Sequence, residues 1–230
     1  MKALLFKEFK LAMHPICYVF IILFPFMILI PSYPLAVGFI YVLSCYPILF
    51  LGANKGQQSN DLLFSTLLPV RKKDIVLARI FTVAVMQFAF MAIMSLLFPV
   101  AYLVHNAANV VDETTGEALQ QFTVGFGMNS YVLVLAIALI GFALADLIFF
   151  PIYYKNGKSI VLSTLTMILS FALYLVFFTI VLPYLIGIEK ANSVPLWIQF
   201  VSFAGALGIY ALIHLFVYKL SAKRLEKVDF

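Results

Sequence analysis

The stretch Val70–Val104 reads "VRKKDIVLARIFTVAVMQFAFMAIMSLLFPVAYLV". It opens with Arg71, Lys72, Lys73 and Arg79, then runs from Ile80 to Val104 without a charged residue. Crossing the ~30 Å hydrocarbon core of a bilayer takes about 20 helical residues, so this run is long enough to span. Lipid offers no partner to unpaired backbone groups, and nothing in the run alternates as a barrel strand would, so the segment must be a helix. Its basic preface marks the end that stays in the cytoplasm.

The rest of the chain repeats the pattern. Of its 230 residues 64% are hydrophobic and 11% charged, against roughly 25% charged in a soluble domain. The mean hydropathy is +1.08. Such a composition cannot cover a water-facing surface. Apolar runs at Ala12–Ile30, Leu35–Gly52, Ile80–Val104, Ser130–Ile152, Ile160–Leu182 and Trp197–Tyr218 predict six transmembrane helices in one all-α domain spanning residues 1–230. No small-residue cleavage site follows the first run, which reads as a retained span. With both termini placed in the cytoplasm, every one of the fifteen lysines and arginines except Lys190 falls on that side. This predicts a multi-pass protein of a cytoplasmic membrane.

Catalytic constellations are missing. "NGKS" (Asn156–Ser159) has the tail of a phosphate-binding loop, but Ile152 stands where its first glycine belongs and no strand precedes it. "HNAAN" (His105–Asn109) lacks the paired glutamates an intramembrane protease would need. The three histidines are scattered and form no metal-ligand spacing with Cys17 or Cys45, which read as buried thiols. We therefore expect no catalytic residue, no metal and no cofactor on this chain, and nothing points to nucleic acid.

Polar residues inside apolar runs are costly and need a reason. Asp146, Gln87 and His214 are the candidates for an intramembrane polar site, either contacting a proton or substrate or pairing structurally to hold helices together. At the N-terminus, "MKALLFKEFKLAMHP" predicts a helix lying on the inner leaflet. Leu5, Phe6 and Phe9 share one arc, with Lys7, Glu8 and Lys10 turned to the headgroups; a plain extension of the first span is the alternative.

The longest cytoplasmic segment, residues 53–79, holds a short apolar helix capped near Asp61 and ended by Pro69. "LLFSTLL" is too short to span and too apolar for water. It either docks into a groove of a cytoplasmic partner or rests on lipid beside its basic flank.

At "LLPVRKKDIVLAR" the sequence resembles the loop between spans two and three of bacterial ABC-2 type transporter permeases. The N-terminal "MKALLFKEFKLAMHP", the "PSYP" hairpin and "FFPIYYK" are similar to that family as well. The resemblance implies a six-span half-permease that pairs with a second half, as a homo- or heterodimer, around a substrate path. A separate ABC ATPase, carrying the ATP and Mg, would dock below. Asp61, Leu62, Leu63, Phe64, Leu67, Leu68 and Pro69 would form the coupling helix, and Arg71, Lys72, Lys73 and Asp74 its polar flank. The implied function is export of a hydrophobic or amphipathic substrate. A non-transporting scaffold or sensor that recruits a partner through the same loop is the competing expectation.

Overall fold

The computed structural model describes residues 2–12, 16–29, 70–115, 128–156, 160–187 and 194–227. All regular structure among them is helical. Helix α1 (Lys2–Lys7) continues as a π-helical turn over Glu8–Ala12, and α2 (Ile16–Leu23) tightens into a 3-10 segment at Phe24–Leu29, which contains Pro25. The long helices are α3 (Lys72–Thr115), α4 (Tyr131–Asn156) and α7 (Leu196–Glu226). Between the last two, α5 (Ile160–Val176) passes through a π turn (Phe177–Val181) into α6 (Leu182–Ile186), which ends at Gly187 with a φ of 94°. A positive φ favours glycine, which has no Cβ to clash.

Among the described residues, three helices, Lys72–Val104, Tyr131–Lys155 and Leu196–Glu226, are long and apolar enough to cross a membrane, and Cys17–Phe26 and Val161–Val176 are shorter apolar helices. The expected second span, Leu35–Gly52, and the coupling helix, Asp61–Pro69, lie outside the described residues.

Where the expected boundaries can be compared, the helices run further. The basic segment before Ile80 is no separate linker: α3 starts at Lys72 and continues unbroken to Thr115, past the end expected at Val104. Nothing between Lys72 and Ile80 breaks a helix, and Asp74 in the first turn suits the positive end of the helix dipole. The fifth run, by contrast, changes helical type at Phe177 rather than continuing evenly to Leu182.

Helix α4 lies at the centre, packed against α7 and α5, while α3 packs against α7 and the 3-10 end of α2. The core between them is aromatic and sulfur-rich. Phe90 and Phe142 meet edge-on with centroids 6.2 Å apart, beside Met86, Met94, Leu139 and Met167, all buried. Helix α7 turns Leu196, Trp197, Phe200, Val201, Leu212, Leu215 and Phe216 outward. That face would be unstable in water and is ordinary against lipid. Hydroxyls inside the helices bond their own backbone, as Thr82 does to the Ala78 carbonyl (2.9 Å) and Ser95 to that of Met91 (2.9 Å).

At Gly141, α4 and α5 approach closely. A Cβ there would lie 2.9 Å from Phe171 Cε2 and 3.0 Å from Tyr174 Cε1, and the Tyr174 hydroxyl donates to the Ile137 carbonyl at 2.7 Å. Gly141→Leu should push the two ring edges aside and cost about 1–3 kcal/mol. Thermal unfolding in detergent should show a lowered midpoint, with Gly141→Ala falling between the two.

Candidate functional site

Two polar clusters interrupt the apolar interior, one at the basic end of the bundle and one midway along it. The first joins α1 to α3 and α4. Arg79, two turns into α3, forks onto Glu8 with Nε 3.0 Å from Oε2 and Nη2 3.2 Å from Oε1. Its Nη1 donates to the Tyr153 hydroxyl of α4 at 3.2 Å. Lys7 Nζ stands 3.5 Å from the same Oε1 that Nη2 meets. Glu8 is 4% exposed and Arg79 5%, so this bidentate pair is held away from water, where such geometry is strongest. Beneath it Leu4 packs with Ile75 and Ala78, fastening α1 to the first turns of α3. Arg224 of α7 reaches the same end and donates to the Pro151 carbonyl at 2.5 Å.

This arrangement reverses the expected placing of the N-terminal helix. Lys7 and Glu8 face the protein, whereas Phe6 and Lys10 face outward with the ammonium 5.1 Å from the ring centroid. The reason is electrostatic. A guanidinium buried beside Ile75 and Ala78 needs a carboxylate, and the π turn that begins at Glu8 brings one round to it. Nor does Arg79 act only as an orienting surface charge, as its neighbours in sequence do. Arg71 is exposed and bonds Asp74 through Nε at 3.0 Å and Nη2 at 3.3 Å. That hydrogen bond and the carboxylate's charge hold the Arg71 guanidinium above its ordinary range. Lys72 and Lys73 are half-buried in the first turn of α3.

The second cluster gathers the three residues singled out in the apolar runs. Gln87 of α3 donates from Nε2 to Asp146 Oδ2 of α4 at 3.0 Å, and His214 Nε2 of α7 lies 2.9 Å from the same oxygen. Tyr210 completes the circuit, donating its hydroxyl proton to Gln87 Oε1 at 2.6 Å. Its backbone carbonyl sits 2.9 Å from His214 Nδ1. Asp146 and Gln87 are fully buried. Four side chains thus tie three helices together inside an apolar core. Each hydrogen bond across membrane helices contributes about 0.6–2 kcal/mol.

A third contact pins the opposite end of α7. Gln199 Nε2 donates to the carbonyls of Asn129, 3.0 Å away before α4, and of Val194 at 2.8 Å.

Tyr210, Glu8, Tyr153 and Arg224 were not anticipated. A tyrosine in an apolar run looks like any aromatic, but Glu8 carried a signal: a carboxylate in so apolar a segment calls for a cation nearby. Among the described residues no group of His, Cys, Asp and Glu could hold a metal ion.

An all-helical bundle with long apolar spans, outward-facing hydrophobic faces and polar groups paired inside defines a membrane protein of several spans. A family model described as ABC-2 family transporter protein matches residues 3–220, nearly the full length, and the chain belongs to that family. It is therefore the membrane component of a transporter, for which an ABC ATPase is the implied partner. No curated protein and no solved structure matches it.

The Arg79–Glu8 fork can be broken from either side. Removing one partner of a buried pair strands a charge and costs about 3–5 kcal/mol, whereas replacing both with apolar groups is far milder. Glu8→Leu alone should therefore unfold at lower temperature than the double variant Glu8→Leu/Arg79→Met, measured by thermal unfolding of the purified chain.

Proposed function

We propose that this chain is one six-span half of an ATP-driven exporter of hydrophobic or amphipathic molecules, working in a cytoplasmic membrane. The family match carries the reading, because it covers residues 3–220, the loop included. The basic end of the bundle faces the cytoplasm, where Lys7, Arg71, Lys72, Lys73, Lys155, Lys219 and Arg224 gather at helix ends. ATP and Mg are held by a separate ATPase, and two permease halves flank the path.

Coupling runs through the apolar segment Asp61–Pro69. Phe64, Leu67 and Leu68 seat in a groove of the ATPase, with Arg71, Lys72, Lys73 and Asp74 beside it as the polar rim. The junction described above supports this reading physically. The loop leads directly into α3, whose first turns are gripped by Leu4 and Glu8. A displacement of the loop thus moves α1, α3 and, through Tyr153, α4 as one body.

The test is co-purification with a co-expressed candidate ABC ATPase, followed by ATP turnover in lipid. Replacing anchors at the centre of an interface typically costs 2 kcal/mol or more, about 30-fold in affinity. Phe64→Asp with Leu67→Asp should abolish capture of the ATPase and its substrate-stimulated turnover, and unchanged coupling would overturn the assignment of this segment as the coupling helix. The chain purified alone should hydrolyse no ATP.

A further inference from the structure

Asp146 and His214 meet midway along the bundle, and their surroundings restrict which protons they carry. The Tyr210 hydroxyl donates to Gln87 Oε1, so the Gln87 amide presents its N–H to Asp146 Oδ2. His214 sets Nδ1 2.9 Å from the Tyr210 carbonyl oxygen. A carbonyl can only accept, so Nδ1 carries a hydrogen, and a neutral imidazole then has none on Nε2. A bare Nε2 lying 2.9 Å from an ionised Oδ2 would set two acceptors face to face. Two arrangements avoid this: an imidazolium against a carboxylate, or a neutral imidazole accepting from a carboxylic O–H. Both contain one proton between the two groups and no net charge, the state an apolar interior favours.

Among the described residues, the imidazole nitrogens meet one charged group, the Asp146 carboxyl, and one backbone carbonyl, that of Tyr210. The imidazole is faced by Asp146 from α4 and, beyond that carboxyl, by the neutral Gln87 of α3. On α7 itself the Tyr210 ring stacks on it with centroids 4.0 Å apart. His214 lies nearer the margin while Asp146 is wholly enclosed, so moving α7 from α4 parts the pair from the His214 side.

We propose that Asp146 and His214 form a one-proton latch clasping α7 to α4, and that parting these two spans in the transport cycle passes that proton to water. The second half of this statement rests on the transport reading; the first does not. Once the pair is parted and hydrated, water can take up the shared proton, which the apolar contact no longer holds. Wherever opening releases that one proton, the open state gains on the closed one by about tenfold per pH unit.

The first experiment uses the full chain alone in phosphatidylethanolamine–phosphatidylglycerol nanodiscs, with His14→Gln and His105→Gln so that His214 is the one imidazole. At about pH 8, where free imidazole is neutral, nitrogen NMR should show both ring nitrogens protonated. Failing that, infrared spectroscopy should show a carboxylic acid band that Asp146→Asn removes. In Asp146→Asn the imidazole should become an ordinary neutral ring, with circular dichroism unchanged. A neutral imidazole beside an ionised Asp146 in the native sequence would overturn the latch.

The second experiment places spin labels at Leu147 and Leu212, with Cys17→Ser and Cys45→Ser, in the assembled transporter. The separated population should rise with pH by up to about tenfold per unit and lose that slope in His214→Gln. A slope retained in His214→Gln would overturn the link to opening. Since the first experiment needs no ATPase, a chain that keeps the proton but captures no ATPase would retain the latch and lose the transport reading.

Discussion

Lipid hydrates nothing, and each polar group sent into this bundle must therefore find its partner within the protein. Most of the architecture follows from that constraint. Thr82 and Ser95 turn back on carbonyls of their own helix, and the Tyr174 hydroxyl reaches the Ile137 carbonyl on the next one. The ionisable side chains collect into a few shared knots. An isolated carboxylate at the middle of a span costs about 2.5–3.5 kcal/mol, so Asp146 draws Gln87 and His214 to it from two other helices. The same reasoning places Glu8 under Arg79. Apolar packing holds the helices together in general, whereas the polar knots decide which rotation and height each helix adopts.

The two knots differ in chemistry as well as position. At the basic end a guanidinium faces a carboxylate, a pair that stays charged at any pH where the carboxylate is ionised. It suits a joint that must transmit force without changing state. Midway along the spans an imidazole faces a carboxyl, and that pair can redistribute a proton without altering its total charge. One is a fixed weld; the other can be unfastened.

Much of the plan was legible in the sequence because the bilayer imposes a length and a polarity that composition displays directly. Asp146, Gln87 and His214 stood out for the same reason, each being polar in an apolar run. Their meeting was not legible, since 59 residues separate Gln87 from Asp146 and 68 separate Asp146 from His214. Tyr210 was hidden because its ring satisfies the hydrophobic pattern whether or not its hydroxyl is used. The N-terminal helix misled for a related reason: a helical wheel assumes even 3.6-residue turns, and the π turn at Glu8–Ala12 breaks that assumption. The change of helical type at Phe177 was equally invisible, since its residues are as apolar as those before them.

Helix α3 runs for 44 residues. At 1.5 Å per residue it is about 66 Å long, roughly twice the thickness of the hydrocarbon layer it crosses. It is gripped in its first turns by Glu8 and Leu4, and Pro99 interrupts its hydrogen bonding further along. A rod of this length converts small angles into large travel: a tilt of about 10° at the gripped end would sweep the far end by about 11 Å. A helix of this length therefore extends well past the hydrocarbon layer, so that tilting it displaces residues outside the membrane as well as within it.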